Sequence, residues 1–284
     1  MKQKTAYIGI LAAFVLLSSG CTQVAITGRK QLNLVPDSMV NSMALDEYKS
    51  FLKENKLSSD PAATAMVKEA GKRISAAVDS YFAQQGRSKE TADFKWEFNL
   101  VENEEKNAWC MPGGKVVVYT GLLPITQDEN GLAVVMSHEI AHAVARHGSE
   151  RMSQGLLFQM GGMALSEAMQ NHPAATQQLF MTSYGLGAQV GILLPYSRLH
   201  EKEADSMGLI FMGMAGYNPQ TAVAFWERMA QSKEKGDAPP EFLSTHPSDA
   251  KRIEGIKQAL PEAMRYYYKA TGQTPPTTHY QFGG

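Results

Sequence analysis

The segment HEIAH at residues 138–142 constrains this chain more than any other feature of its sequence. The residues around it are apolar and predict a buried helix. Because residues four apart on a helix differ by about 40° around its axis, His138 and His142 leave the same face and can share one metal ion. Glu139 lies about 60° from His142, close enough to act on a catalytic water without being a ligand. We therefore predict a metal site with two histidine ligands and Glu139 as the general base.

A second segment, residues 197–205, offers the carboxylates that such a site needs. A hydrolytic zinc ion takes a third protein ligand and keeps one position open. Glu201 and Asp205 are one helical turn apart and share a face, whereas Glu203 is about 200° from Glu201 and points away. We predict Glu201 as the third ligand, Asp205 as the acceptor of a ligating histidine's remaining N–H, and Glu203 as a solvated surface charge. The alternative is that this segment is only the charged start of a helix.

Composition excludes several classes of protein. The 284 residues are 44% hydrophobic and carry 27 Lys and Arg against 28 Asp and Glu, for a formal charge of −1. A chain of this length and hydrophobicity can bury a large core and is not disordered as a whole. It has no basic stripe that could neutralise phosphates, so we expect no binding to nucleic acid. Two cysteines are too few for a disulfide framework.

The first twenty residues have the pattern of a bacterial secretory signal peptide. Lys2 and Lys4 precede an apolar run over residues 7–17, and small residues then lead to Cys21. The apolar run is too short to cross a bilayer as a mature helix. The cysteine resembles that of a lipobox, so we predict that Cys21 is lipidated and anchors the chain to a membrane by its acyl chains. The alternative is a plain N-terminal membrane anchor with an incidental cysteine.

The rest of the chain predicts one mostly helical α+β domain. Amphipathic patterns indicate helices over residues 37–56 and 61–85. Alternating or β-branched patterns indicate strands over residues 94–101 and 115–119, and mainly helical patterns follow. Gly, Pro, Thr and Gln prevail at the C-terminal end, which favours a loose tail. The predicted divisions are a signal peptide over residues 1–20, a catalytic domain over residues 21–270 and a flexible tail over residues 271–284.

HEIAH followed by SRLHEKEAD at residues 197–205 resembles the zinc metallopeptidases of the HtpX and CAAX prenyl endopeptidase family. Within that family, the chain is similar to the soluble periplasmic lipoprotein branch, to bacterial beta-barrel assembly-enhancing proteases and to the mitochondrial overlapping-activity protease. The resemblance spans about residues 25–260. We expect neither the transmembrane helices of the integral members nor the helical repeat domain of some periplasmic members. Four further segments fit the resemblance: TGRKQL at 27–32, NAWCMPGG at 107–114, YTGL at 119–122 and LSTHPS at 243–248.

The resemblance implies a gluzincin-type zincin domain, mostly helical, with a small β-sheet whose edge strand borders the active site. It implies one Zn²⁺ per chain, held by His138, His142 and Glu201. The implied enzyme is an endopeptidase that cleaves unfolded or misassembled cell-envelope proteins, with water activated by zinc and Glu139. Its implied place is the periplasmic side of a bacterial envelope. We predict that the lipid anchor is in the outer membrane, because Thr22, which follows Cys21, is not the aspartate that retains some lipoproteins at the inner membrane. Protein substrates and the membrane are the expected partners, and the oligomeric state is left open.

The edge strand that the resemblance implies follows a Gly-Gly turn. An unpaired strand edge can pair with an extended peptide, a mode that reads main chain and gives loose sequence preference. The alternative is a strand with a purely structural role. The residues of this expected substrate strand are Lys115, Val116, Val117, Val118 and Tyr119.

Four more residues are candidates for completing the site. In similar periplasmic proteins a histidine in a His-Pro-Ser loop approaches the zinc, so His246 is a candidate fourth ligand or gate. A hydrogen bond to the tetrahedral oxyanion is another role for His246, which Arg252 or Tyr196 can also fill. Alternatively, His246 only caps the following helix. Cys110 can close the metal site as a thiolate, although a lone exported thiol is more simply a buried apolar residue. His147 is about 140° round the helix from His142 and is not expected to be a ligand.

Two other classes of function are alternatives to the protease. One is a zinc-containing periplasmic chaperone or assembly factor whose protease activity is latent because His246 occupies the open metal position. The other is a lipoprotein scaffold in which HEIAH is accidental. Residues 152–195 are rich in Met and Gly, which suits a lid, a client-binding surface or ordinary helix packing.

Overall fold

The structure, a computed structural model, describes residues 21–160, 174, 176, 177, 179, 183, 197–232, 241–246 and 250–275. The expected α+β class, mostly helical with a small sheet, is confirmed. The strands among these residues are β1 (Cys21–Gln23), β2 (Lys30–Leu32), β3 (Glu97–Val101), β4 (Ala108–Met111) and β5 (Lys115–Tyr119). The helices are α1 (Asp37–Glu54), α2 (Pro61–Gln84), α3 (Leu123–Thr126), α4 (Glu129–Val144), α5 (His147–Met160), α6 (Arg198–Met214), α7 (Thr221–Gln231), α8 (Glu241–Thr245) and α9 (Ala250–Thr271), with short 3-10 turns at Ser88–Glu90 and Thr120–Leu122.

The larger sheet has the strand order β3-β5-β4, with β5 in the centre. β5 runs parallel to β3, where Val116 lies opposite Phe98, and antiparallel to β4, where Val116 lies opposite Cys110. The expectation that Lys115–Tyr119 is an edge strand is therefore wrong. All five residues of β5 are buried, because both edges are paired and the two faces contribute to different hydrophobic clusters. A run of β-branched residues without alternation is typical of a strand in such a position.

The edge strand that packs against the HEIAH helix is β4. Among the described residues it pairs only with β5. All four of its residues are buried, so β4 lacks the alternation by which a half-buried strand is recognised, and the sequence did not predict it. A turn at Gly113 and Gly114, with φ of 76° and 84°, leads from β4 into β5. Glycine adopts these positive φ values without steric cost.

Helix α4 carries the HEIAH segment through the core of the domain. It begins after Asp128, whose carboxylate accepts a hydrogen bond of 2.8 Å from the Gly131 N–H. Every residue over 131–144 is buried, which is typical of a helix that is apolar on all sides. Helix α6 begins after Ser197, whose hydroxyl accepts a hydrogen bond from the His200 N–H. The two helices pack directly against each other.

The close approach of α4 and α6 depends on Gly208. A Cβ atom added at this position would lie 3.0 Å from the backbone nitrogen of His138 and 3.1 Å from the carbonyl of Ser137. Because backbone atoms in a packed core cannot move aside without strain, a larger residue would push the two helices apart. Gly208 thus sets the distance between the candidate ligands that the two helices carry.

The N-terminal segment packs on the domain through a pair of short strands. β1 and β2 form an antiparallel pair with Cys21 opposite Leu32. Val24, between the two strands, is 1% exposed and belongs to the larger hydrophobic cluster. Arg87 donates a hydrogen bond of 2.7 Å to the carbonyl of Ala25. The chain directly after the expected lipidation position is therefore held on the domain.

Several expectations lie outside the described residues. These are the signal peptide over residues 1–20, most of the Met-rich segment and the end of the C-terminal tail. The division into signal peptide, domain and tail therefore stays a prediction. Where the chain is described, none of its helices is long and apolar enough to cross a membrane. Cys110 is buried with a free thiol.

Candidate metal centre

Three side chains from α4 and α6 converge at one buried point. The Nε2 atoms of His138 and His142 lie 3.1 Å apart. Glu201 approaches both rings, with one carboxylate oxygen 3.5 Å from His138 Nε2 and the other 3.3 Å from His142 Nε2. None of the three residues is more than 3% exposed. The structure thus brings together the three residues that the sequence proposed as ligands.

His246 joins this cluster from a different part of the chain. Helix α8 ends at Thr245, and the backbone N–H of His246 donates a hydrogen bond of 2.8 Å to Phe242 O. The His246 Nδ1 atom lies 3.0 Å from a Glu201 oxygen and 3.3 Å from His138 Nε2. One possible ligand atom from each of the four residues lies within 4.8 Å of all the others. His246 is therefore placed as a fourth member of the cluster.

The spacing and chemistry of the cluster suit a metal ion. Ligands about 2.0–2.1 Å from a tetrahedral zinc ion lie about 3.3–3.4 Å from one another. The measured separations between atoms of the cluster are 3.0–3.5 Å. Two imidazole nitrogens 3.1 Å apart need a proton or a cation between them, since their lone pairs otherwise repel. Imidazole nitrogens with a carboxylate oxygen are a donor set that zinc accepts readily.

Glu139 lies beside the cluster without belonging to it. Its carboxylate is buried, and its Oε1 atom, 3.4 Å from His246 Nε2, has no hydrogen-bond partner among the described residues. Burial raises the pKa of Glu139, against the lowering effects of His246 and His138. A buried carboxylate oxygen without a partner, with a raised pKa and next to a possible metal site, is placed to take up a proton.

Asp205 and Arg252 contact the proposed ligands His138 and Glu201. Asp205 Oδ1 lies 3.0 Å from His138 Nδ1, so it can accept that N–H and leave Nε2 for a metal. The Arg252 guanidinium lies 2.7 Å from Glu201, 2.8 Å from Asp205 and 3.4 Å from the centre of the Trp226 ring. These contacts engage Arg252 with the two carboxylates, so the geometry supports a role in holding them.

The carboxylates of the site stabilise positive charge at the point where the ligand atoms meet. Burial alone would raise the pKa of Glu201, but His246 and Arg252 hold it well below its usual range. Burial and Arg252 lower the pKa of His138, yet the hydrogen bonds with Asp205 and Glu201 outweigh them and raise it to about 9. The site therefore favours a positive charge beside His138, and a divalent cation supplies one.

Glu203 is not the solvated surface charge that helical spacing predicted. Its side chain is 5% exposed, and it accepts hydrogen bonds from Thr27 Oγ1 and from Arg29 Nε, the latter at 2.8 Å. His147 Nε2 lies 3.2 Å from the same carboxylate, and His147 Nδ1 lies 2.9 Å from His142 Nδ1. The prediction was wrong because the N-terminal segment and α5 cover this face of α6. Helical spacing gives the direction of a side chain but not what packs against it.

The remaining candidates do not join the cluster. Tyr196 lies outside the described residues. Cys110 is not part of the cluster, and burial raises the pKa of its thiol well above the usual range, which opposes a thiolate ligand. Sequence reasoning also missed His147 and His200 as buried partners of the site; their rings stack with centroids 4.5 Å apart. The available signal was a third histidine five residues after His142.

The sequence profile of Peptidase family M48 matches residues 68–260, which include α4, α6 and His246. The chain belongs to Peptidase family M48. Members of this family are metal-dependent peptidases, and the buried His and Glu cluster, a possible metal site, lies within the matched residues. The mostly helical α+β domain is consistent with the zincin type of M48 fold.

Several named proteins are similar to this M48 chain. Mitochondrial metalloendopeptidase OMA1 of Schizosaccharomyces pombe is 36% identical over 244 residues, which cover 85% of this chain and 67% of that protein. Metalloendopeptidase OMA1 of Homo sapiens is 29% identical over 84% of this chain and 46% of its own length. Beta-barrel assembly-enhancing protease of Escherichia coli is 28% identical over 63% of this chain and 39% of its own length. The chain thus spans two thirds of the first relative and under half of the other two.

Removing the charge of Arg252 is expected to destabilise the fold strongly. Arg252→Met leaves the buried carboxylates of Glu201 and Asp205 without their guanidinium partner, and breaking a buried ion pair in this way costs about 3–5 kcal/mol. Urea unfolding of the metal-free protein measures the loss. The matched control is Arg73→Met, because Arg73 also covers an aromatic ring, that of Tyr217 at 4.0 Å, but donates to a backbone carbonyl. We expect the control to lose about 1–2 kcal/mol; equal losses would contradict the charge-balancing role of Arg252.

Proposed function

We propose that this chain is a zinc-dependent endopeptidase that hydrolyses peptide bonds in unfolded or misassembled cell-envelope proteins. The observation that carries the proposal is the convergence of His138, His142 and Glu201 at separations that suit a tetrahedral metal, with Glu139 directly beside them. Membership of Peptidase family M48 supports the reaction class. Zinc is proposed as the metal because two imidazoles and a carboxylate are a usual set of three protein ligands for a catalytic zinc, which keeps its fourth position for water or substrate.

The proposed chemistry divides between the metal and the protein. When bound, zinc would lower the pKa of a coordinated water toward 7 and polarise the scissile carbonyl. Asp205 and Arg252 keep the ligand side chains oriented, through His138 and Glu201 respectively. Glu139 takes the proton from the water and later passes it to the leaving amine. Its raised pKa suits both tasks, because the carboxyl group must gain and lose the proton within one turnover.

The substrate is proposed to bind along β4 rather than along β5. Tyr119 N–H donates to Asn107 O, and in an antiparallel pair the residues that point toward the partner alternate. The backbone groups of Ala108 and Cys110 therefore point away from β5, to the side of β4 that pairs with no other strand among the described residues. An extended peptide can pair with this edge through its main chain, which gives loose sequence preference. β4 packs against α4, so a peptide bound there would lie beside the metal cluster.

The substrate class and location are proposed from the relatives and the N-terminal sequence. One bacterial relative is a beta-barrel assembly-enhancing protease, which suggests substrates among envelope proteins. The signal-like segment that ends at Cys21 suggests export and lipidation at that cysteine. We therefore place the chain in the soluble periplasmic lipoprotein branch of the HtpX and CAAX prenyl endopeptidase relatives. In this proposal it faces the periplasm and is anchored in the outer membrane.

A second candidate function is a zinc-containing chaperone or assembly factor with latent protease activity. The observation that favours it is the position of His246. Its Nδ1 atom stands at the fourth corner of the cluster, 3.0 Å from a Glu201 oxygen and 3.3 Å from His138 Nε2. An imidazole in that corner competes with water for the open metal position. Whether the enzyme is active or latent then depends on how readily the His246 imidazole leaves the fourth metal position.

Glu139→Gln is expected to lower kcat for casein cleavage by about 10²–10⁴-fold, because an amide cannot take the proton from water. Elemental analysis should still find one zinc per chain, since Glu139 is outside the ligand cluster. Glu129→Gln is the matched control, because Glu129 is an exposed carboxylate at the start of the same helix and should leave kcat unchanged. Zinc should disappear in Glu201→Ala. Wild-type protein without zinc, or undiminished cleavage by Glu139→Gln, would refute the proposed mechanism.

His246→Ala separates the active from the latent enzyme. If wild-type protein cleaves casein and His246→Ala changes the rate little, His246 does not block the metal position. If cleavage arises only in His246→Ala, the latent function is correct and His246 is its gate. Thr245→Ala serves as the control, because among the described residues the Thr245 hydroxyl donates to the carbonyl of Phe242 in the same short helix and not to the metal cluster. The measurement is the initial rate of casein cleavage by each metal-loaded protein.

A further inference from the structure

We propose that Thr27, Arg29, Glu203 and His147 form a hydrogen-bonded chain that positions the metal ligand His142. The N-terminal segment would then be a working part of the metal centre rather than a plain tether. This inference rests on the proposed metal site, because it concerns how one ligand of that site is oriented. None of the four residues touches the metal position itself, so each is a positioning residue.

The first link of the chain joins two imidazole rings. His142 presents Nε2 to the metal cluster, so its proton is carried by Nδ1 when a metal is bound. The Nδ1 atom of His142 lies 2.9 Å from His147 Nδ1, which can accept a hydrogen bond from the His142 N–H. The remaining proton of a neutral His147 is then on Nε2, 3.2 Å from a Glu203 oxygen. One set of tautomers therefore satisfies every bond from His142 to Glu203.

The second link fixes Glu203 from the N-terminal side. Arg29 Nε donates to one oxygen of Glu203 at 2.8 Å, and the Thr27 hydroxyl donates to the other. The two terminal nitrogens of Arg29 donate to both oxygens of Glu150, at 2.9 Å and 2.7 Å. His200 Nε2 lies 3.0 Å from Glu150. Arg29 is thus held in one orientation by two carboxylates, and it transmits that orientation to Glu203.

The burial of these groups argues for a specific role. Glu150, Glu203 and His147 are 5%, 4% and 0% exposed, and burying ionised carboxylates is costly unless they are paired. Among the described residues, the guanidinium that pairs with both carboxylates is that of Arg29, from the N-terminal segment. Without this segment, both buried carboxylates would lose their guanidinium partner and keep only their contacts with His200 and His147.

The two ligating histidines are therefore supported in different ways. His138 is oriented directly by Asp205, a carboxylate one turn after Glu201. His142 is oriented indirectly, through His147 and then Glu203, and the end of that chain is the segment shortly after Cys21. Partners of this kind set the tautomer and ring orientation of a ligand, and losing them typically weakens metal binding about 10–100-fold. We expect the N-terminal segment to contribute an effect of that size.

The test compares Glu203→Gln and Arg29→Met with wild-type full-length protein. We expect the zinc dissociation constant, measured by competition with a chelator, to rise about 10–100-fold in both variants. The visible absorption bands of the Co²⁺-substituted protein should shift, because the orientation of one ligand changes. For casein cleavage we expect kcat to fall while KM stays constant, since the edge strand for the substrate is untouched.

Arg87→Met is the matched control. Arg87 also anchors the N-terminal segment, through its 2.7 Å hydrogen bond to Ala25 O, but it has no contact with the chain that leads to His142. We expect its zinc affinity and Co²⁺ spectrum to equal those of wild type. If Arg87→Met weakens zinc binding as much as Arg29→Met, docking alone matters and the positioning role is refuted. Unchanged zinc affinity in both Glu203→Gln and Arg29→Met would also refute it.

Thr27→Val tests the positioning role if Glu203→Gln and Arg29→Met do not fold. It removes one hydrogen bond to Glu203 and leaves the pair of Arg29 and Glu150 intact. A measurable rise in the zinc dissociation constant supports the positioning chain, and a wild-type value overturns it. If wild-type protein binds zinc and these substitutions leave the zinc dissociation constant unchanged, only this inference is refuted. A wild-type protein that binds no zinc refutes the proposed metal site as well.

Discussion

The excess of buried negative charge at the cluster is the constraint on which the rest of the site depends. Glu139, Glu201 and Asp205 are at most 8% exposed, and the guanidinium that the structure pairs with the last two is that of Arg252. Burying carboxylates without compensation is costly, so the site is built to hold more positive charge. A divalent cation at the point where His138, His142 and Glu201 meet would supply that charge, and it would also activate water in the proposed reaction.

Helical spacing predicted which residues of α4 and α6 converge, whereas His246 was a candidate because of the family resemblance. The four-residue spacing of His138 and His142 and of Glu201 and Asp205 puts each pair on one helix face, and α4 and α6 pack with those faces together. Spacing could not predict the environment of Glu203, because the residues that bury it come from the N-terminal segment and from α5. Local periodicity describes one element, whereas burial depends on residues distant in the sequence.

The strands also show that a local sequence pattern does not predict contacts with residues distant in the sequence. The helices over 37–54 and 61–84 and the strand over 115–119 are where amphipathic and β-branched patterns predicted them. The edge position of Lys115–Tyr119, which the family resemblance implied, was wrong, because β3 and β4 pair with the two sides of this strand. β4 escaped prediction because it is short and buried on both faces. Among the described residues β5 is the central strand and β4 pairs on one side only, so the proposed substrate strand is β4 rather than β5.

X-ray absorption spectroscopy at the zinc K-edge tests the central claim most directly. The account predicts a first shell of nitrogen and oxygen atoms only, at about 2.0–2.1 Å, with the outer-shell scattering of at least two imidazole rings. That signal should be lost with the metal in Glu201→Ala. A sulfur atom at about 2.3 Å, which only a thiolate such as that of Cys110 would supply, would contradict the assigned ligands. A purified wild-type protein that retains no zinc would contradict the metal centre itself.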